Sequence, residues 1–68
     1  MSNNENVVTT KTHDWKQRCR EWVKAGESFE LHGVESEHIL FIQELCAVFK
    51  CNIIYLPRKG DIKIQPLQ

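Results

Sequence analysis

Long hydrophobic runs are missing from this chain, since none approaches the roughly 18 consecutive apolar residues that a membrane-spanning helix requires. The opening segment, MSNNENVVTTKT, lacks the basic start and apolar core of a secretion signal. Glycine is scarce and scattered, at positions 26, 33 and 60, so there is no glycine-rich phosphate-binding loop. These absences predict a cytoplasmic protein that does not bind a membrane.

Cysteine is limited to three residues, and an odd number argues against a disulfide framework. Cys19 and Cys46 fall on the predicted apolar faces of two helices, where a thiol behaves as a small hydrophobe. Cys46 and Cys51 are five residues apart, which is neither a Cys-x2-Cys knuckle nor a helical ligand pair. No two histidines stand at ligand spacing either. We therefore expect core cysteines, no metal site and no cofactor.

The sequence also has no recognisable catalytic motif. Nucleophilic catalysis needs a nucleophile, a base and an orienting group within reach of one another. Cysteine and histidine are both present, but no local motif joins them, and Cys46 lies on the core side of its predicted helix. We therefore expect that the protein is not an enzyme.

What is present is enough for one small domain. A chain of 68 residues builds a small core and is marginally stable on its own. Apolar residues make up 41%, which is typical of a globular protein. We predict a flexible N-terminal tail over residues 1–6 and a single domain over residues 7–68.

The nine basic and nine acidic residues cancel, but they are unevenly distributed. Residues 11–24 and 50–63 are mainly basic, whereas residues 27–44 contain five glutamates and no lysine or arginine. Such an asymmetry either guides the approach of a partner or reflects ordinary solvated faces.

Two helices are predicted. In HDWKQRCREWVKA the apolar residues recur at i, i+4, i+7 and i+8, with Thr12 as the predicted N-cap and Gly26 following the last turn. The second helix runs from Ser36, its predicted N-cap, to about Lys50. Its apolar residues, including Val48, fill an arc of about 180°, wider than the ~100° of a helix packed on one surface. Contact with both a sheet and the first helix explains that width.

Three or four strands are predicted. SFELH alternates polar and apolar side chains, as a half-buried strand does. CNIIYL and DIKIQ flank the turn residues PRKG, which predicts a hairpin. Residues 7–10 are a possible first strand. The order is therefore β-α-β-α-β-β, and we predict an α+β fold: a two-layer sandwich with two helices on one face of a small three- or four-stranded mixed sheet.

The strand CNIIYL carries large apolar groups on both faces. Cys51, Ile53 and Tyr55 point to one side, whereas Ile54 and Leu56 point to the other. Helices on one face leave one of these sets outward, where apolar groups often mark a dimer or partner surface. Alternatively the N-terminal tail covers them, or the strand is central. The residues assigned to a protein-binding surface, on the open sheet face or its charged rim, are Ile54, Leu56, His32 and Glu30.

Six basic residues form a candidate surface for single-stranded nucleic acid. They are Lys16, Arg20 and Lys24, spaced i, i+4 and i+8 on the first helix, and Arg58, Lys59 and Lys63 in and after the hairpin turn. The zero net charge argues against this function, as does the lack of an exposed aromatic pair for stacking bases.

The element order resembles that of the TusA/SirA-like sulfur carriers over residues 7–65. The likeness lies in a first helix ending at Gly26-Glu27, in the strand SFEL and in the final strand pair. That family uses a Cys-Pro motif at the start of the first helix, where this chain has TTKTHDW. The resemblance thus implies the fold, and at most a degenerate relative of the carriers.

A second resemblance is to the small single-stranded nucleic-acid-binding domain named for its Arg-x3-His signature. FELHGVESEHILFIQELCAVF is similar in apolar pattern to the strand-turn-helix segment of that domain. The signature itself is absent from the chain. Of the three functions, an adaptor, regulator or inhibitor that binds another protein or a second copy is favoured. Nucleic-acid binding is the alternative, and a sulfur-carrier relative is third.

Overall fold

The computed structural model describes residues 6–67 and confirms the predicted fold and element order. The elements are β1 (Val7–Thr9), α1 (Trp15–Ala25), β2 (Phe29–His32), α2 (Ser36–Phe49), β3 (Cys51–Tyr55) and β4 (Ile62–Pro66). Residues 1–5 of the predicted tail lie outside the described residues. Asn6 is described, and its side chain donates hydrogen bonds to Glu27 Oε1 and to the Ser28 carbonyl.

The four strands form one mixed sheet in the order β1-β2-β4-β3. β1 pairs with β2 in parallel, and β4 is antiparallel to both of its neighbours. Successive side chains of a strand point to opposite faces. The buried residues Phe29, Leu31, Ile62 and Ile64 therefore share one face, on which both helices pack. The other face carries no helix within the described part of the chain.

The apolar residues of α1 that were predicted to lie on one stripe differ in how deeply they are buried. Trp15, Cys19 and Val23 are buried, whereas Trp22 is partly buried and lies against Phe29, with ring centroids 5.0 Å apart. The N-cap is Asp14 and not Thr12, so that part of the prediction is wrong. The Asp14 carboxylate pairs with Arg18 at 3.3 Å and makes no cap hydrogen bond.

α2 packs against α1 near its N-terminal half. Trp15 meets the rings of Phe41 and His38 edge-on, at centroid distances of 5.2 and 5.3 Å. The apolar arc that α2 buries is narrower than predicted, because Val48, which was predicted to belong to it, is 72% exposed. α1 has 11 residues against 14 in α2, and these aromatic contacts lie before the last two turns of α2. Neither helix is long and apolar enough to span a bilayer, as far as residues 6–67 are concerned.

The start of α2 also differs from the prediction. Glu35, and not Ser36, is the N-cap, and it forms a reciprocal capping box with His38. The Glu35 N–H donates to His38 Nδ1 at 2.9 Å, and the Glu35 side chain accepts from the backbone of His38. This pairing satisfies two backbone donors that would otherwise lack partners at a helix start.

The predicted hairpin is present, and its turn is fixed to the loop before α2. The Leu56 N–H donates to the Asp61 carbonyl at 3.1 Å, and the Val34 N–H donates to the Gly60 carbonyl at 2.9 Å. Gly60 has φ of +88°, and a Cβ there would lie 3.3 Å from the Val34 carbonyl oxygen. Both the backbone angle and this close approach favour glycine.

Candidate protein-binding surface

The face of the sheet that the helices leave open is mostly polar. Alternation along the strands places eight side chains on it: Val7 and Thr9 from β1, Glu30 and His32 from β2, Lys63 and Gln65 from β4, and Asn52 and Ile54 from β3. The two apolar members, Val7 and Ile54, lie on the two edge strands and are 47% and 40% exposed. This face is therefore less apolar than a typical buried interface core.

The structure places the four predicted protein-binding residues on this side of the sheet. Ile54 is paired with Lys63, which is paired in turn with Glu30, so the three form one row across the sheet. His32 is two residues beyond Glu30 on the same face. Leu56 follows the end of β3 and is partly buried.

An open groove runs beside this row, between the end of β2 and the hairpin turn. Its lining residues are Glu30, His32, Leu56, Pro57, Arg58 and Asp61. Three of the four predicted residues are therefore brought into one concave site, and Ile54 lies outside its lining. We refer to these six residues as the open-face groove.

A histidine between two carboxylates forms the polar side of the open-face groove. His32 Nε2 lies 3.1 Å from Glu30 Oε1 and 3.9 Å from Asp61 Oδ2. The side chain of Asp61 is 13% exposed, while those of His32 and Glu30 are 35% and 30% exposed. The contact between His32 and Glu30 holds both side chains in place while leaving part of each accessible to a partner.

The open-face groove has some chemical capacity for proton transfer, because a histidine next to a carboxylate can act as a general base. Its six lining residues include no serine, threonine or cysteine that such a base would activate. The side chains instead offer hydrogen-bond acceptors, one guanidinium group and the apolar surface of Leu56 and Pro57. That combination suits recognition by contact.

The six basic residues do not form one surface. Lys16, Arg20 and Lys24 are exposed on α1, in the helix layer, whereas Lys63 lies on the open sheet face. Lys16 and Arg20 are also positioned over the ring of Phe41, with the Lys16 Nζ 5.4 Å and the Arg20 Cζ 5.2 Å from its centroid. Arg58 and Lys59 are exposed in the hairpin turn. A single phosphate backbone that contacted all six residues would therefore have to reach both the helix layer and the open face of the sheet.

The three thiols are free, and two of them are buried in the core. Burial raises the pKa of Cys19 to about 12 and that of Cys46 to about 11. Burial also raises the pKa of Cys51. Because the thiolate is the reactive form, these thiols are poor nucleophiles at neutral pH. Thiol chemistry of the kind that a sulfur carrier needs has no support in this arrangement.

Residues 6–67 contain no cluster of three or more histidine, cysteine or acidic side chains arranged to hold a metal ion. No family model, no curated protein and no solved structure matches the chain. The likeness to the sulfur carriers and to the Arg-x3-His domain therefore rests on element order and apolar pattern alone.

Neither Pro57 nor Asp61 of the groove was assigned to a site from the sequence, and of these two it is Asp61 that lies beside His32. It is 29 positions from His32 along the chain and reaches it because Leu31 pairs with Ile62 across β2 and β4. The alternation of FELH and DIKIQ indicates which residues share a face, but it does not indicate which strands are neighbours. No signal in the sequence points to this approach.

Proposed function

We propose that the protein is a small cytoplasmic binding module, acting as an adaptor, regulator or inhibitor, that holds another protein on the open-face groove and catalyses no reaction. The observation that carries the proposal is the composition of this groove. Leu56 and Pro57 supply apolar surface directly beside the charged cluster of His32, Glu30 and Asp61. Apolar contact bordered by polar groups is the usual anatomy of a protein interface.

Rigidity supports the same proposal. The groove is built on paired strands and on a turn held by backbone hydrogen bonds from Leu56 to Asp61 and from Asp61 to Arg58, both 3.1 Å long. Residues fixed in this way lose little freedom when a partner binds, which lowers the entropic cost of association. The row of Ile54, Lys63 and Glu30 extends the surface across the sheet.

The test is a comparison of matched variants. Partners are cross-linked to the wild-type chain in its source cells and identified, and their affinities for purified variants are then measured by calorimetry. We expect Leu56→Glu combined with His32→Ala to weaken binding by about tenfold or more, because burial of one leucine contributes about 1.5–3 kcal/mol. Ile54→Lys tests how far the surface extends.

The matched control lies on the other layer. Leu40→Glu and Val48→Glu place the same charge on α2, where the wild-type side chains are 65% and 72% exposed. These variants should bind as the wild type does. Equal affinity of the groove variant and the wild type, or loss of binding in the α2 variants alone, would reject the open-face groove as the binding surface.

The second candidate is binding of single-stranded nucleic acid by α1. Its supporting observation is that Lys16, Arg20 and Lys24 are all exposed along one helix. Fluorescence anisotropy with a labelled oligonucleotide should then show affinity that falls steeply with salt and is lost in Lys16→Glu combined with Arg20→Glu. Absence of binding at low salt, with protein in the high micromolar range, would exclude this candidate.

A further inference from the structure

The strand at one margin of the sheet, β3, has an edge that is open to pairing. In the sheet of the described residues, β4 is its one neighbouring strand. The register with β4 runs through five consecutive pairs, from Cys51 opposite Pro66 to Tyr55 opposite Ile62, so no bulge bends β3 away. The backbone groups on its outer side therefore form a regular row without strand partners.

This edge lacks the features that usually prevent one strand edge from pairing with another. Natural edge strands are commonly very short, or they carry lysine, proline, a bulge or a covering segment. CNIIY contains no charged residue and no proline. Its side chains are also accessible, since Tyr55 is 76% exposed and Ile54 is 40% exposed. The opposite edge strand, β1, has three residues and is protected by its shortness.

An apolar cavity of about 160 Å³ lies beside this edge, between α2 and the hairpin. It is lined by Ile39, Ile42 and Gln43 of α2 and by Ile53, Tyr55 and Ile62 of the hairpin. Gln43 and Tyr55 are exposed, so the mouth of the cavity is next to β3. An additional strand beside β3 would cover Tyr55 and lay an uncharged side chain against this mouth.

We propose that the β3 edge pairs antiparallel with the β3 edge of a second copy of this chain, joining two sheets into one continuous sheet. A two-fold axis at Ile53 would pair Ile53 with itself, Asn52 with Ile54 and Cys51 with Tyr55. In a two-fold junction each residue near the axis meets its own copy or a close neighbour of it, so a charge there would be repelled. CNIIY is uncharged throughout, and this favours a second copy as the occupant.

The junction places both pairs of helices on the same side of the continuous sheet, because the axis is perpendicular to it. The interface is independent of the open-face groove, which none of Ile53, Asn52 or Tyr55 lines. A contact of five residues per strand is small, and a small domain gains stability from such an association. Small interfaces are typically weak, so the dimer is expected to form at concentrations from about 10 µM to about 1 mM.

The first test needs no variant. Sedimentation equilibrium over that range should show the mass rising from monomer to dimer with concentration. Amide hydrogen exchange followed by NMR should show slower exchange at the outward-pointing amides within Cys51–Tyr55 as concentration rises, while the amides of Val7–Thr9 on the other edge keep their rates. A monomer at every concentration, or a dimer whose β3 amides exchange as fast as those of the monomer, overturns the proposal.

The second test uses matched lysine variants. Tyr55→Lys should raise the dimer dissociation constant by about tenfold or more, which corresponds to about 1.4 kcal/mol. Val48→Lys replaces a similarly exposed apolar residue on α2 and should leave the constant unchanged. His32→Ala should leave it unchanged as well, which separates this junction from the open-face groove. A monomer whose β3 amides become protected only with a foreign partner would overturn self-pairing in favour of strand addition by another protein.

Discussion

Replacing Trp15 by alanine should destabilise the protein more than replacing Trp22, although both residues belong to the apolar stripe of α1. Trp15 is 7% exposed and connects the two helices, because its ring contacts both Phe41 and His38 of α2. Trp22 is partly buried and contacts Phe29 of the sheet with its ring tilted by 34°. The spacing of the apolar residues in α1 places both tryptophans on one stripe and does not rank them.

The magnitudes follow from burial. Truncating a buried tryptophan to alanine costs about 3–5 kcal/mol, through lost transfer energy and the cavity that remains. For Trp22, part of whose ring is already in solvent, we expect about 1–3 kcal/mol. A domain of 68 residues has a free energy of unfolding of about 3–10 kcal/mol, at 0.05–0.15 kcal/mol per residue. Trp15→Ala should therefore remove at least about 30% of it, and Trp22→Ala should leave a folded protein.

The assay is urea unfolding followed by far-ultraviolet circular dichroism, with the midpoint and the slope m both fitted. Unchanged m values show that a shifted midpoint reports stability and not a change in compactness. Trp15→Phe is the control, since it keeps a ring against Phe41 and should lose less stability than Trp15→Ala. Equal midpoints for the two alanine variants, or a lower midpoint for Trp22→Ala, would refute the packing argument.

Two further predictions concern the core thiols and the hairpin turn. Burial raises the pKa of Cys19 to about 12, so the unfolded chain ionises this thiol at a lower pH than the folded chain does. The free energy of unfolding should therefore be unchanged below about pH 9 and fall as the pH rises towards 12. Urea midpoints between those pH values should decline less steeply in Cys19→Ala, and parallel declines would contradict this. Gly60→Ala should cost about 1–3 kcal/mol, because φ is +88° and the added Cβ meets the Val34 carbonyl. The midpoint of thermal unfolding should fall further in Gly60→Ala than in Gly26→Ala, since Gly26 also has a positive φ. An equal fall in the two variants would show that the contact with the Val34 carbonyl does not matter.

The parts of the fold that follow from local sequence were predictable. The hairpin follows from the turn residues PRKG between two segments of β pattern, and α1 follows from the spacing of its apolar residues together with Gly26. Both are confirmed, because turn chemistry and helical periodicity act over a few residues. The predicted positions of the helix N-caps were wrong by one or two residues. Asp14 forms an ion pair with Arg18, and Glu35 and His38 cap each other. The apolar pattern does not indicate which of several neighbouring polar residues becomes the N-cap.

The neighbours in the sheet were beyond what the pattern could indicate. β4 lies between β2 and β3, so the last strand separates two strands that precede it in the chain. That placement brings Asp61 to His32 and creates the open-face groove, and it makes β3 an edge strand. The alternation of CNIIYL identifies Ile54 and Leu56 as a set, but whether that set lies at the centre or at the edge depends on long-range pairing.

The positions of the thiols and of the His32 cluster in different layers support the proposal that the protein binds a partner and does not catalyse a reaction. The thiols Cys19 and Cys46, whose pKa values are raised, are enclosed by the helix layer, where a substrate would have to displace core side chains. The accessible charged cluster is on the sheet layer, where paired strands hold it rigid. β3 contributes Ile54 to that layer and its backbone edge to the proposed junction. Self-pairing would therefore set two open faces side by side, so a partner with two matching sites would bind more tightly to the dimer than to the monomer.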